Sequence, residues 1–281
     1  MKQNRSPVAV ILLAFFLAFS SSACYRKETK PAPQTENQAE NEAPGSLEKM
    51  ESEIKNLIEE LDKKEDEKSE EKISIETKTE VKQEEDQEEA KTETKQETEQ
   101  EVKKESPDDK MWKAAKEKVE NIHKEWNKFQ PEIVKTGVPK ETLDKFSDVL
   151  NNLTIYAESK DLLNTLFAAN ELTQFISDFT AQYNSEIPPD VKRMGYFIRD
   201  AKYNGIAGQW EKSSADIDSL KSYWSIVKAQ VKKEQEKQAS QVEFSIYELE
   251  KVVKQSNLTL TLLKSDIALD NLNKLEEAFR K

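Results

Sequence analysis

The sequence predicts an all-α protein whose residues 106–281 form a bundle of about seven amphipathic helices. Two observations carry that prediction. Apolar residues recur at 3-4 spacing through successive stretches, which lines each set along one helical stripe. The stretches also repeat every 48 residues: Leu153 falls on Ala201 and then on Leu249, and Ile176 falls on Trp224 and then on Leu272. Turns fall on turns in that register, with Ser159-Lys160-Asp161-Leu162 over Ala207-Gly208-Gln209-Trp210 and over Gln255-Ser256-Asn257-Leu258. A hairpin that cannot bury both apolar stripes alone explains such a repeat. A shift of 98 brings Trp112 and Trp126 of the first helix onto Trp210 and Trp224, as the second half of a hairpin whose first half is missing. The expected architecture is therefore a leading helix plus three tandem hairpins. A bundle is favoured over a solenoid because the apolar faces are wide and the hairpins few.

The chain starts with Lys2 and Arg5, then an unbroken apolar run from Val8 to Phe19, then Ser21-Ser22-Ala23-Cys24. The run is too short to span a bilayer core, and small residues close it, so residues 1–23 read as a secretory signal peptide. Cys24 is the only cysteine in the chain, so no disulfide framework exists. Ala23-Cys24 after such a run resembles the lipobox of bacterial lipoproteins, although Ser21 stands where that family usually has an aliphatic residue. The resemblance covers residues 1–24 only. It implies a diacylglycerol on the Cys24 thiol, further acylation at the new N-terminus with palmitate-type chains, and a cell-membrane location on the extracytoplasmic face. Two or three acyl chains make such an anchor stable.

Residues 24–46 hold Pro31, Pro33, Pro44 and Gly45 among polar residues and read as a flexible linker. At 47–61, Leu47, Met50, Ile54, Leu57 and Leu61 keep 3-4-3-4 spacing. That predicts a short amphipathic helix, either loosely packed or a coiled-coil seam for self-association. Residues 62–105 contain 18 acids and 10 bases and are close to low complexity. With little to bury, they are expected to form a solvated spacer, disordered or partly helical. A flexible 25–106 would span about 50 Å, and a helix over 47–105 about 90 Å. The chain's net charge is −12, while residues 107–281 carry 28 acids and 26 bases. A near-neutral domain behind an acidic tract excludes nucleic acid as a natural partner.

Ser106 caps the first bundle helix, with Pro107 at its first position and Trp112, Ala115, Val119, Ile122, Trp126 and Phe129 as its stripe. Its end is expected near Gln130-Pro131. The next two helices carry Leu143 to Ala157 and Leu162 to Phe179, separated at Ser159-Lys160-Asp161. Pro188-Pro189 opens a fourth helix that Gly208 ends, and Trp210 to Val227 marks a fifth. Ser240-Gln241-Val242-Glu243 has the form of a capping box and predicts the start of the sixth. Asn257 caps the seventh.

Chemistry-bearing residues are few. Glu120 and the only histidine, His123, have Glu-x-x-His spacing, but a di-iron bundle needs a second such pair. In the 48-residue register Asn170, Asp218 and Asp266 coincide, and Glu120 lands on the same position in the first helix. Converging, these oxygens with His123 would form a cation site; otherwise they are boundary residues of helix flanks. One histidine and five glycines leave no nucleophile–base pair or phosphate loop to build. Most aromatics fall on apolar stripes and read as core, while Tyr196, Tyr203, Tyr223 and Tyr247 are candidates for a groove between hairpins. The sequence points to a non-enzymatic, lipid-anchored interaction or scaffold domain with an envelope or extracellular protein partner and no cofactor beyond the lipid. The alternative is a carrier or sensor holding a small ligand or metal cation in a cleft of the bundle.

Overall fold

A computed structural model describes residues 42–82 and 106–280, and every regular element in them is helical. The signal peptide, Cys24, most of the linker and residues 83–105 of the expected spacer lie outside the described residues. The helices are α1 (Gly45–Lys82), α2 (Pro107–Lys135), α3 (Lys140–Glu158), α4 (Leu162–Thr180), α5 (Pro189–Ile206), α6 (Trp210–Lys228), α7 (Glu236–Lys254) and α8 (Leu258–Phe279), with a 3-10 turn at Lys233–Gln235. None of them is long and apolar enough to cross a membrane.

The 48-residue repeat is present in the backbone. Lys160, Gly208 and Ser256, each 48 residues after the last, all take the left-handed conformation, with φ of 56°, 71° and 50°. Each ends the first helix of a hairpin, and α4, α6 and α8 start two residues later. Asp161 and Asn257 accept the backbone N–H of Asn164 and Leu260, as caps at equivalent positions. Ser106 does the same for α2 through Asp109.

The hairpins pack as two four-helix bundles, each with its own core. In the first, α1 to α4 close a ring around Trp126, Phe129, Phe146 and Phe179, whose stacked and tilted ring pairs have centroids 4.3–6.2 Å apart. In the second, α5 to α8 close a ring around Met194, Ile198, Leu220, Trp224, Leu249 and Leu272. The bundles join where α5 packs against α4 and where α8 meets α1.

The stripe at 47–61 does not stand apart. Leu47, Met50, Ile54, Leu57 and Leu61 are 0–1% exposed, inside the first core. Lys118 pairs with Glu60 and Lys64 with Asp108, so α1 runs antiparallel to α2. α1 therefore supplies the missing first half of the leading hairpin, and its stripe is covered by its own chain instead of a second copy. The folded unit begins before residue 47 and not at 106. α1 also continues to Lys82, so the first half of the expected spacer is helix.

Two helix ends move for the same kind of reason. α2 passes through Pro131 to Lys135, because Ile133, one turn beyond Phe129, is fully buried; that burial outweighs one lost backbone hydrogen bond. α7 starts at Glu236, so Ser240 is an interior residue whose Oγ donates to the Glu236 carbonyl, not a cap. Gln235 anchors that start by donating from Nε2 to the Ala278 carbonyl.

Candidate functional site

The bundles meet along one face of α5. Its apolar stripe, Val191, Met194, Ile198 and Ala201, faces the second core. One residue further round lie Lys192, Gly195, Arg199 and Lys202, which turn toward the first bundle. Lys192 pairs with Glu51 of α1. Lys202 is 0% exposed and its Nζ lies 3.0 Å from Asp62, 2.9 Å from Asp66 and 3.0 Å from Asp266. Arg193 adds a bond to Asp178 of α4 at 2.6 Å.

The oxygens of Asp62, Asp66 and Asp266 lie within 4.8 Å of one another, close enough to share a metal ion. The Lys202 ammonium already occupies the space among them. Burial works against its charge, and the three carboxylates more than offset that, holding the ammonium above its ordinary pKa. Burial pushes Asp66 up to about 6 against the pull of Lys202. The trio is therefore an internal ion cluster with a resident cation, joining α1, α5 and α8.

The expected ring of four repeat positions does not converge. Glu120 is exposed and pairs with Lys124 at 2.7 Å. Asp218 is exposed on α6. His123 Nε2 bonds Thr154 Oγ1 at 2.8 Å, and burial lowers its pKa, favouring the neutral ring. Asn170 and Asp266 do reach the seam, and each holds one cation of α5: Asn170 accepts from Arg199, Asp266 from Lys202. Glu120 and Asp218 face solvent because α2 and α6 lie away from the seam.

Between the ion cluster and the Lys192–Glu51 pair the two bundles part, leaving a cleft of about 1040 Å³ between α1 and α4 on one side and α5 and α8 on the other. Ile54, Ile58, Ile176, Val191 and Leu272, all nearly buried, and the more open Leu269 form the apolar part of its lining. Arg199 also lines it. Its Nε donates to Asn170 Oδ1 at 2.7 Å and its Nη2 to Thr173 Oγ1 at 3.2 Å. Both acceptors are neutral, and Arg199 makes no ion pair with a carboxylate among the described residues. Burial lowers its pKa without removing its charge at neutral pH. The tyrosines divide: Tyr203 is fully buried against Phe167, Tyr196 and Tyr223 pack on Phe197, and Tyr247 is exposed.

A second buried polar group sits on the other flank of α5. Asn204 Nδ2 bridges Asp200 and Asp216 at 3.2 and 2.8 Å. Burial, and then the neighbouring Asp200 charge, push Asp216 up to about 7, and burial raises Asp200 as well. The pair holds a proton well above the usual carboxylate range. The folded pKa values of Asp66 and Asp216 exceed their unfolded values, so the native state binds more protons between about pH 4 and 7 and loses stability as pH rises through that window. Stability is expected to be about 2–4 kcal/mol greater at pH 5 than at pH 8, the lowered His123 offsetting a part. Urea unfolding at both pH values measures this, and Asp216→Asn is expected to flatten the difference; a rise in stability from pH 5 to 8 would contradict it.

Arg199, Lys202 and their acidic partners are the site residues that sequence reasoning missed. The available signal was the 3-4-3 spacing of Lys192, Gly195, Arg199 and Lys202, a basic stripe beside an apolar one. Together, fold and site define an all-α protein of two fused four-helix bundles with a guanidinium-floored cleft between them. No protein-family model, curated protein or solved structure matches the chain.

Proposed function

We propose that the protein is a lipid-anchored, extracytoplasmic and non-enzymatic binding protein whose inter-bundle cleft takes a small ligand. Cys24 carries the lipid, and in sequence residues 25–44 lie between it and α1, the first helix of the fold. The observation that carries the ligand reading is the cleft itself. It has a lining that is part apolar and part polar, a size at the upper end of small-molecule sites, and a guanidinium held by neutral acceptors and not by a direct ion pair. Apolar walls supply affinity and the guanidinium supplies orientation.

The test screens a library of low-mass polar and amphipathic compounds by thermal shift, against the native chain and a Leu269→Trp variant that fills the cleft. Saturable stabilisation by a few compounds, lost in the variant, is the expected result. No stabilising compound, or stabilisation that survives filling, would sink the reading. The anchor is tested separately: labelled lipid should enter the native chain and not Cys24→Ser.

A protein partner is the second reading, favoured by one observation. Phe244 and Tyr247 on α7 are 71% and 60% exposed, and Leu260, Leu263 and Ile267 stand out on the neighbouring α8. A crosslinked envelope partner in intact cells, lost with Phe244→Glu, would favour it.

A further inference from the structure

The geometry points to a short apolar peptide with free termini as the ligand of the inter-bundle cleft, its C-terminal carboxylate on Arg199 and its N-terminal ammonium on the acidic wall. The peptide identity rests on the cleft being the ligand site. Three features select it.

The first is the state of Arg199. Its fork is held from behind by Asn170 and Thr173, which use Nε and one hydrogen of Nη2. Nη1 and the remaining hydrogen of Nη2 carry no acceptor among the described residues. That free edge matches the two oxygens of a carboxylate. Gly195 lies beside the fork, where a Cβ would come to ordinary contact distance of Nη1 and Nη2, 3.4 and 3.5 Å.

The second is the sign of the surroundings. The cleft is lined by Glu51, Glu59, Asp62, Asp266, Asp270 and Glu276 among its acids. Lys192 engages Glu51, Lys202 engages Asp62 and Asp266, and Arg280 engages Glu276. Glu59 has a 4.0 Å contact with exposed Lys55 and a longer-range attraction to Arg199, and Asp270 has no ion pair among the described residues. A simple anion would meet repulsion at this wall, and a simple cation would meet Arg199. A molecule with an acid at one end and an ammonium at the other satisfies both.

The third is size and polarity. A cleft of about 1040 Å³ is much larger than one amino acid requires. Part of its wall is aliphatic, with Leu269 the most open of these side chains, which suits two to four residues with apolar side chains.

Isothermal titration of the full chain with trileucine tests this, alongside its C-terminal amide, its N-acetyl form and free leucine. Trileucine is expected to bind, with the amide weaker by about tenfold or more and the acetylated form also weaker, in keeping with loss of charge-assisted bonds. Arg199→Gln should erase the preference for the free acid, and Glu59→Gln with Asp270→Asn the preference for the free amine. Arg199→Lys, which keeps the charge but not the fork, should retain part of the acid preference and guards against unfolding as the cause. Equal binding of acid and amide, or an acid preference that survives Arg199→Gln, would overturn the inference. Failure of all four probes while library compounds still bind in the cleft would refute the peptide and leave the cleft reading standing. Failure of both would refute the two together. Binding of free leucine as tightly as trileucine would replace the peptide with an amino acid.

Discussion

Lys202→Met is expected to lower the unfolding free energy of the domain by about 3 kcal/mol. The ammonium is fully buried and bonded to three carboxylates from two other helices. Removing it leaves Asp62 and Asp66, whose side chains are 14% and 26% exposed, facing each other without a cation. The effect belongs at the lower end of what a broken buried pair costs, because Asp266 keeps 52% of its side chain in water. It should also depend on pH. Asp66 is already held up to about 6 by burial, and loss of Lys202 raises it further, so the deficit shrinks at pH 5 where the carboxyl can protonate. Urea unfolding at pH 5 and 8 measures both points. A second variant, Lys202→Met with Asp62→Asn and Asp66→Asn, should recover much of the loss, since uncompensated charge and not lost packing is the cause. A change under about 0.5 kcal/mol in the single variant would show that the cluster does not hold the bundles together.

A chain that starts at Ser106 is expected to lose the first bundle altogether. Leu47, Met50, Ile54, Leu57, Ile58 and Leu61 of α1 are 0–5% exposed in that core. At about 1.5–3 kcal/mol each, their burial is worth some 10 kcal/mol, comparable with the whole stability of a domain. Without α1, the stripes of α2 and α4 face water and Lys202 keeps Asp266 alone. The shortened chain should bind a polarity-sensitive dye, unfold without a sharp transition in α2–α4 and be cut there by proteases. A chain from Glu42 should unfold cooperatively. Equal midpoints for the two would show that α1 is dispensable. Gly-Ser replacement of residues 83–105 is expected to leave stability nearly unchanged, because the replacement closes a connection of the same length.

Much of the helical layout was legible because it is local. The spacing of Trp112 to Phe129, the caps at Ser106 and Asn257 and the turns around Lys160, Gly208 and Ser256 act within one or two turns of chain. The 48-residue register survived because equivalent hairpins meet equivalent packing. Where reading failed, distant burial had overruled a local rule: Ile133 carried α2 past Pro131, and Gln235 with Ala239 moved the start of α7 ahead of Ser240.

The site was mostly illegible, for a different reason. Glu120, His123, Asp218 and Asp266 share a repeat position or helix face, but equivalent positions point to different neighbours once the hairpins close into two rings. Only Asn170 and Asp266 face the seam. Arg199 and Lys202 were not singled out at all, because spacing alone makes them two cations beside an apolar stripe.

By itself, the sequence determined which segments are helical, where they turn and which face of each is apolar, since those follow from spacing and side-chain chemistry along the chain. Tertiary structure alone decided that α1 completes the first bundle, that the seven later helices divide between two cores, and that Lys202 is sealed among three aspartates while Arg199 is left facing an open cleft. The physical reason is that amphipathicity says which face must be covered but not by what. The partner of a face, and the fate of a charge beside it, depend on contacts between residues up to about 140 positions apart.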